Sequence, residues 1–392
     1  MPSLTIRGLG GVVSGRTGPA AFRPVRCLHV RDGAVATIGD EALPADTVVE
    51  AGGAIAIPGL IDSHSHPLIG EWSPVLNSTG WITHYLHGGV TTFISAGEVV
   101  MPGFPVDPPD PGFVRNLALV TKKSFDALRP AGARVLAGTP VLVSGLTEQD
   151  FDLFRAAGIR LVKFIYYDYE RAPAGESRRY VAWARERGMK VKLHAGGTSY
   201  LGDSAPAGIE RTLELAPDIV AHLNGGPIPP PPREVERIVR ETTCAYEIVP
   251  GGNPRVTELI LRLTRELGCV DRLLLGTDTP GGTGEMPRAM LRLISDVAST
   301  PGFTAEDAIA AGTGNVARAH GLDWGTLEPE RPADLVLIGS IRGSAGRDGL
   351  DALRHGDIPA VALVVTAGEI RVTRSTKTPP PVSPARVVKA PE

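Results

Sequence analysis

Two histidines one residue apart, His64 and His66, end the apolar run AIAIPGLIDS. In extended backbone, residues i and i+2 project to the same side, so both imidazoles can reach one metal ion. Four more residues with ligand chemistry stand near the ends of separate apolar segments. Lys163 lies in RLVKFIYY, His194 in KVKLHA, His222 in DIVAHL and Asp278 at the end of RLLLGTD. Such residues are seldom buried without partners, and their recurrence at strand ends points to one shared metal site. Loop-lining histidines are the alternative for His64 and His66 taken alone.

Lys163 needs a separate argument. Flanked by Leu161, Val162, Phe164 and Ile165, its ammonium is desolvated, which favours the neutral amine. A neutral amine can add carbon dioxide, and the resulting carbamate is an anionic, two-oxygen donor suited to bridging two divalent ions. The competing reading is an ammonium that emerges at the strand end and pairs with Asp168 or Glu170.

The elements that must carry these residues follow from the pattern of apolar positions. From residue 58 to 325 strand-like runs alternate with helical ones, as in a parallel sheet with crossover helices. Eight strand candidates lie near 54–62, 90–95, 134–143, 160–167, 190–195, 218–223, 244–249 and 272–278, and helical periodicity marks LTEQDFDLFRAAG, SRRYVAWARERG, PREVERIVRETT and NPRVTELILRLTRELG. Eight βα units predict a (β/α)8 TIM barrel, whose catalytic groups collect at the C-terminal strand ends. Residues 1–57 and 326–374 carry short glycine-punctuated β-type runs and are expected to share one small β-sandwich built from both chain ends. The proline-rich stretch after the second strand, 98–113, reads as a loop, a candidate lid. Residues 375–392, rich in Pro, Ser and Thr, read as a mobile, disordered tail.

Composition narrows the partners. Hydrophobic residues make up 42% and the formal net charge is −3, so there is neither the composition of a disordered chain nor a basic field for nucleic acid. No apolar run reaches the length of a membrane span, and the N-terminal residues lack a secretory pattern, so a cytoplasmic protein is expected. Cys27, Cys244 and Cys269 are scattered and odd in number, which gives neither a disulfide framework nor a thiolate metal site. The remaining histidines, His29, His84, His87, His320 and His355, read as surface or core residues.

The series PGLIDSHSH, GVTTFISAGE, LVKFIYY, KLHAGG, AHLNGG, LLLGTDTPGG and GNVARAHGLDWGTLEPERPADLVLI resembles the amidohydrolase superfamily along nearly the whole chain. That resemblance implies a metal-dependent hydrolase of carbon–nitrogen bonds. It places one metal on His64, His66 and Asp278 and a second on His194 and His222, with carbamylated Lys163 bridging the two. Within the superfamily, HLNGGP at 222–227 resembles the enamidase-like cyclic amide hydrolases. This implies Zn2+ as the metal, with Fe2+ allowed at one position, and a homo-oligomer, dimer or tetramer. Two cations would lower the pKa of a bridging water and polarise a carbonyl, and Asp278 would take the proton and pass it to the leaving nitrogen.

Residues just beyond the strands are candidates for substrate contact: Tyr167, Thr198, Ser199, Asn224, Thr279 and, as a carboxylate clamp, Arg255. Glu98 is either a partner of a ligating histidine or an exposed loop carboxylate. A mononuclear deaminase is disfavoured because Ala195, Gly196 and Gly197, with no glutamate, follow His194. An N-acyl amino acid or dipeptide amidohydrolase and a silent, metal-free scaffold remain as alternatives.

Overall fold

Branched residues bounded by glycine favour extended backbone, and both ends of the chain consist of such runs. The computed structural model describes residues 3–18, 20–67, 80–99, 103–105, 107–198, 205–226, 228–280 and 284–389. Strands Ser3–Arg7, Cys27–Arg31, Ala34–Gly39 and Thr47–Glu50 form one sheet with Arg386–Lys389. A six-stranded sheet joins Gly11–Val13, Phe22–Arg23 and Ile55–Pro58 to Leu335–Gly339, Ala360–Thr366 and Glu369–Val372. Leu4, Ile6 and Leu28 of the first sheet share a buried apolar cluster with Val12, Leu335 and Leu363 of the second, the face-to-face packing by which two half-buried sheets hide their inner faces.

Between these ends, the named strands of the described residues pair in parallel, and Gly196↔Ala207 is an isolated antiparallel bridge. Leu60–Ser65, Val90–Ser95 and Arg134–Leu136 form a three-stranded sheet, and Leu161–Phe164, Lys190–His194, Ile219–Ala221, Ala245–Ile248 and Leu273–Leu275 a five-stranded one. Isolated parallel bridges Val141↔Lys163 and Ser65↔Thr279 run between the segments at their edges. Ile61, Ile94, Leu161, Ile219 and Leu274, one from each of five strands, share a buried cluster. Lys163 stands two residues beyond Leu161 on the same face, so the apolar layer supports the polar one above it.

Three sequence expectations are corrected. The run 54–62 is two strands that part at Gly59, where a Cβ would overlap the Thr91 side chain; Ile55–Pro58 pairs antiparallel with Leu335–Gly339, whereas Leu60–Ser65 pairs parallel with Val90–Ser95. The run 134–143 keeps strand pairing only to Leu136. Pro140 has no N–H to give a ladder, and only its carbonyl is used, by Lys163 N at 3.0 Å. The tail is ordered to Lys389: Arg386 and Val387 pair antiparallel with Glu50 and Val49. An edge strand needs backbone groups and no apolar face, so composition did not reveal it.

The stretch 98–113 also ends differently. Its last three residues begin helix Pro111–Ala127, where Asp110 accepts from Phe113 N and proline occupies the first turn, a cap that stabilises by about 1 kcal/mol. Phe104 packs edge-on against Phe113 at 5.8 Å. Residues 100–102 and 106 lie outside the described residues.

Candidate metal centre

The strand ends bring the expected imidazoles and carboxylate together. His64 and His66 leave the first barrel strand, and Asp278 follows Leu273–Leu275, its N–H donating to His64 O at 2.8 Å. That approach depends on Gly276, where a Cβ would stand 2.6 Å from His64 Cβ. Asp278 Oδ1 lies 3.1 Å from His66 Nε2 and 3.5 Å from His64 Nε2. The His222 ring centroid is 5.1 Å from that of His64 and 4.6 Å from that of His194. All of these side chains are buried. His222 and Asp278 take φ of +32° and +57°, the left-handed region that side chains other than glycine adopt mainly where surrounding structure enforces it.

Burial sets the protonation of the cluster. It holds His64 and His222 well below the usual imidazole range and lowers His194 to about 4, with the charge of Lys163 or of neighbouring histidines adding to the effect. Lys163 is fully buried, and its amine is lowered to about 7, first by desolvation and then by the charge of Lys192. The alternative pairing with Asp168 or Glu170 is not made: Lys163 Nζ is buried with no partner among the described residues, and Asp168 accepts the backbone N–H groups of Glu170 and Arg171.

The donor set fits metal ions. His64 Nδ1 donates to Glu247 Oε2 at 2.8 Å and His66 Nδ1 to Gly97 O at 2.9 Å. With Nδ1 engaged on each ring, both Nε2 atoms turn to one carboxylate oxygen, an arrangement that suits a cation between them. Their ligand atoms lie within 4.8 Å of one another. His194 Nε2 donates to Gly197 O at 3.0 Å, which turns Nδ1 inward. His194 Nδ1, His222 Nδ1 and Lys163 Nζ are buried and have no partner among the described residues, an expensive condition unless a ligand or ion satisfies them.

Beneath this cluster lies a network that the sequence reading missed. Glu247 and Lys192 are both fully buried. Glu247 Oε1 receives Lys192 Nζ at 2.6 Å and the Ser63 hydroxyl, while Oε2 holds His64. Burial alone would raise the Glu247 pKa, but the charges of Lys192 and Lys163 and the bonds from Lys192 and Ser63 outweigh it, and the net shift is downward. His320 Nε2 lies 3.3 Å from Ser63 Oγ, which makes this histidine part of the network. The signal was available: Glu247 is a charge inside the apolar run CAYEIV, and Lys192 stands two residues before His194 on the same strand face.

Several expected substrate contacts are spent on the fold. The Tyr167 hydroxyl donates to Glu176 at 2.7 Å. Asn224 gives Nδ2 to Val249 O and Thr257 Oγ1 and accepts Val249 N on Oδ1. Thr279 is fully buried and donates to Gly284 O, with the Tyr85 hydroxyl 2.5 Å away. Each hydroxyl or amide turns toward nearby backbone or side-chain groups, which position in sequence does not disclose. Arg255 and Thr198 are exposed, and Ser199 lies outside the described residues. Glu98 is buried and not an exposed loop carboxylate: it accepts from Ser95 Oγ and Gly138 N, and burial raises it to about 7 against those bonds and the charge of His66.

Comparison with known proteins agrees with this architecture. The enamidase of Eubacterium barkeri is 36% identical over 392 residues, covering 99% of this chain and 100% of its own. The crystal structure of enamidase superposes with a TM-score of 0.88 at 35% identity, over 98% of this chain and 100% of that one. Phenylurea hydrolase B shares the fold, with a TM-score of 0.65 at 17% identity, over 96% and 97% of the two chains. The model of the Amidohydrolase family matches residues 55–371, and the chain belongs to that family.

Proposed function

We propose that this protein hydrolyses the carbon–nitrogen bond of a cyclic amide of the enamide or lactam type. A distorted (β/α)8 barrel with a β-sandwich drawn from both chain ends carries the site in this reading. The observation that carries the proposal is full-length likeness to an enamidase in a chain whose buried His64, His66 and Asp278 form a ligand group.

His64, His66 and Asp278 would hold one divalent ion and His194 and His222 another, zinc by preference with iron allowed at one position. Lys163, as the neutral amine, would add carbon dioxide and release a proton, and its carbamate would offer oxygen donors to both ions. When bound, the ions make water nucleophilic near neutral pH and polarise the amide carbonyl. The chain's own part is proton management and aim. Asp278 takes the proton from the attacking water and returns it to the ring nitrogen as the C–N bond breaks. Glu247 fixes the tautomer of His64, and Gly97 O and Gly197 O do the same for His66 and His194. The apolar layer of Ile61, Ile94, Leu161, Ile219 and Leu274 packs beneath the polar groups and limits water there. A homo-oligomeric assembly belongs to the same reading.

A substrate screen over lactams, dihydropyrimidinones, hydantoins and N-acyl amino acids with metal-replete protein tests the proposal. Ring-opening of an unsaturated lactam is the expected result. Turnover confined to open-chain N-acyl amino acids would replace it with the acyclic reading.

A further inference from the structure

The turn that follows Ile219–Ala221 carries His222 and then Asn224, Gly225 and Gly226. It has little freedom. Gly225 N donates to His222 O at 2.6 Å, and Gly225 takes φ of +92° where a Cβ would run into Pro229. Asn224 clamps the backbone of Val249 on both sides and lies so close to Gly252 that no Cβ fits there. Gly197 N donates to Ile228 O at 2.9 Å, tying the turn to the loop that orients His194. Four prolines, 229 to 232, complete the stiffening.

Gly226 sits in this rigid frame, buried, and faces the reacting groups. A Cβ built on it would meet two atoms within 4 Å among the described residues: Asp278 Oδ2 at 3.6 Å and His222 Nδ1 at 4.0 Å. Its φ lies outside the left-handed region, so alanine suits the backbone, and both distances are ordinary van der Waals contact. Backbone conformation therefore does not demand glycine here. The missing side chain leaves the flank of the proposed proton carrier, and of an imidazole nitrogen with no partner among the described residues, uncovered by any other described atom within 4 Å of that position.

We propose that Gly226 determines substrate specificity, because the space it leaves accepts the ring atoms adjoining the scissile C–N bond. The proposal rests on the cyclic-amide reading above. A ring must bring its carbonyl carbon and its nitrogen to Asp278 together, and the atoms closing the ring pass on the side where Gly226 offers no Cβ. A six-membered lactam has one more ring atom to place on this side than a five-membered one, so an added methyl there opposes it more.

The test is Gly226→Ala, assayed on a six-membered unsaturated lactam and its five-membered analogue with metal content measured on the same preparation. The expected result is unchanged metal content and a fall in the six-to-five ratio of kcat/KM by about tenfold or more, the size of one misplaced methylene, carried by KM. The ratio is insensitive to the fraction of folded or loaded protein, since such losses scale both substrates alike. An unchanged ratio overturns the proposal. Wild-type protein inert on both rings but active on an open-chain amide removes the cyclic reading instead. Two open-chain amides differing by one methylene beside the scissile bond then decide the role of Gly226 by the same ratio.

Discussion

Glu247 Oε2 and His64 Nδ1, from strands 183 residues apart in the chain, lie 2.8 Å from each other with both side chains buried. The pair sets which ring nitrogen of His64 faces Asp278. Glu247→Gln removes the charge that pairs with Lys192 and weakens the grip on His64. We expect a 10–100-fold loss of metal affinity, roughly the effect of deleting a hydrogen-bond partner behind a ligand, and destabilisation of about 3–5 kcal/mol from the broken buried ion pair. Metal titration and denaturant unfolding measure both. Wild-type affinity in a folded Glu247→Gln protein would show that His64 does not need this partner.

Lys163 supplies a pH dependence. Its amine, lowered to about 7 by burial and by the charge of Lys192, must be neutral to add carbon dioxide. Loading of metal-free protein with zinc and bicarbonate should therefore be about tenfold faster at pH 8 than at pH 6, while His194 near 4 imposes no limit in that range. The same shift affects stability in a definite direction. The unfolded lysine, near 10.5, holds its proton where the folded one does not, so this group adds stability to the metal-free protein as pH rises from about 7 to 10.5. Lys163→Met should consequently stabilise the metal-free protein most below pH 7. Lys163→Ala should abolish activity and lower metal content, with partial rescue by short carboxylic acids. Full activity without rescue contradicts a bridging role.

Asn224 separates bracing from binding. Its amide is fully engaged by Val249 and Thr257, so Asn224→Ala should lower stability by about 1–3 kcal/mol and reduce kcat by loosening the turn that carries His222. A change confined to KM at unaltered stability would instead mark a substrate contact.

Removing residues 385–392 tests the last strand. The strand Thr47–Glu50 would keep Ser3–Arg7 but lose its second partner and the Lys389 Nζ bond to Ala45 O at 2.7 Å. Loss of about 1–3 kcal/mol is expected from the hydrogen bonds given up, with kcat/KM unchanged because the strand belongs to the sheet of the chain ends. An unchanged melting temperature would show that the pairing contributes nothing.

The donors of the metal centre were legible because a His, Lys or Asp within an apolar run contradicts its surroundings and asks for a reason. Lys192 and Glu247 break the same rule inside KVKLH and CAYEI, but they answer each other's charge, and such internal pairing is visible only in three dimensions. The eight barrel strands could be read from their branched residues. The split at Gly59 could not, because it depends on Thr91 crossing the chain there. Tyr167, Asn224 and Thr279 show the limit of reading sites from position: a polar residue after a strand can turn to the pocket or to neighbouring segments of the fold, and here each engages such a neighbour.

The left-handed backbone at His222 and Asp278 stores about 1–3 kcal/mol at each residue. Selection for a hardier protein would find relief in glycine at either place and lose a donor with it. Endurance and turnover are thus set against each other at two peptide units, and adaptation to heat in this lineage has to be sought elsewhere in the chain.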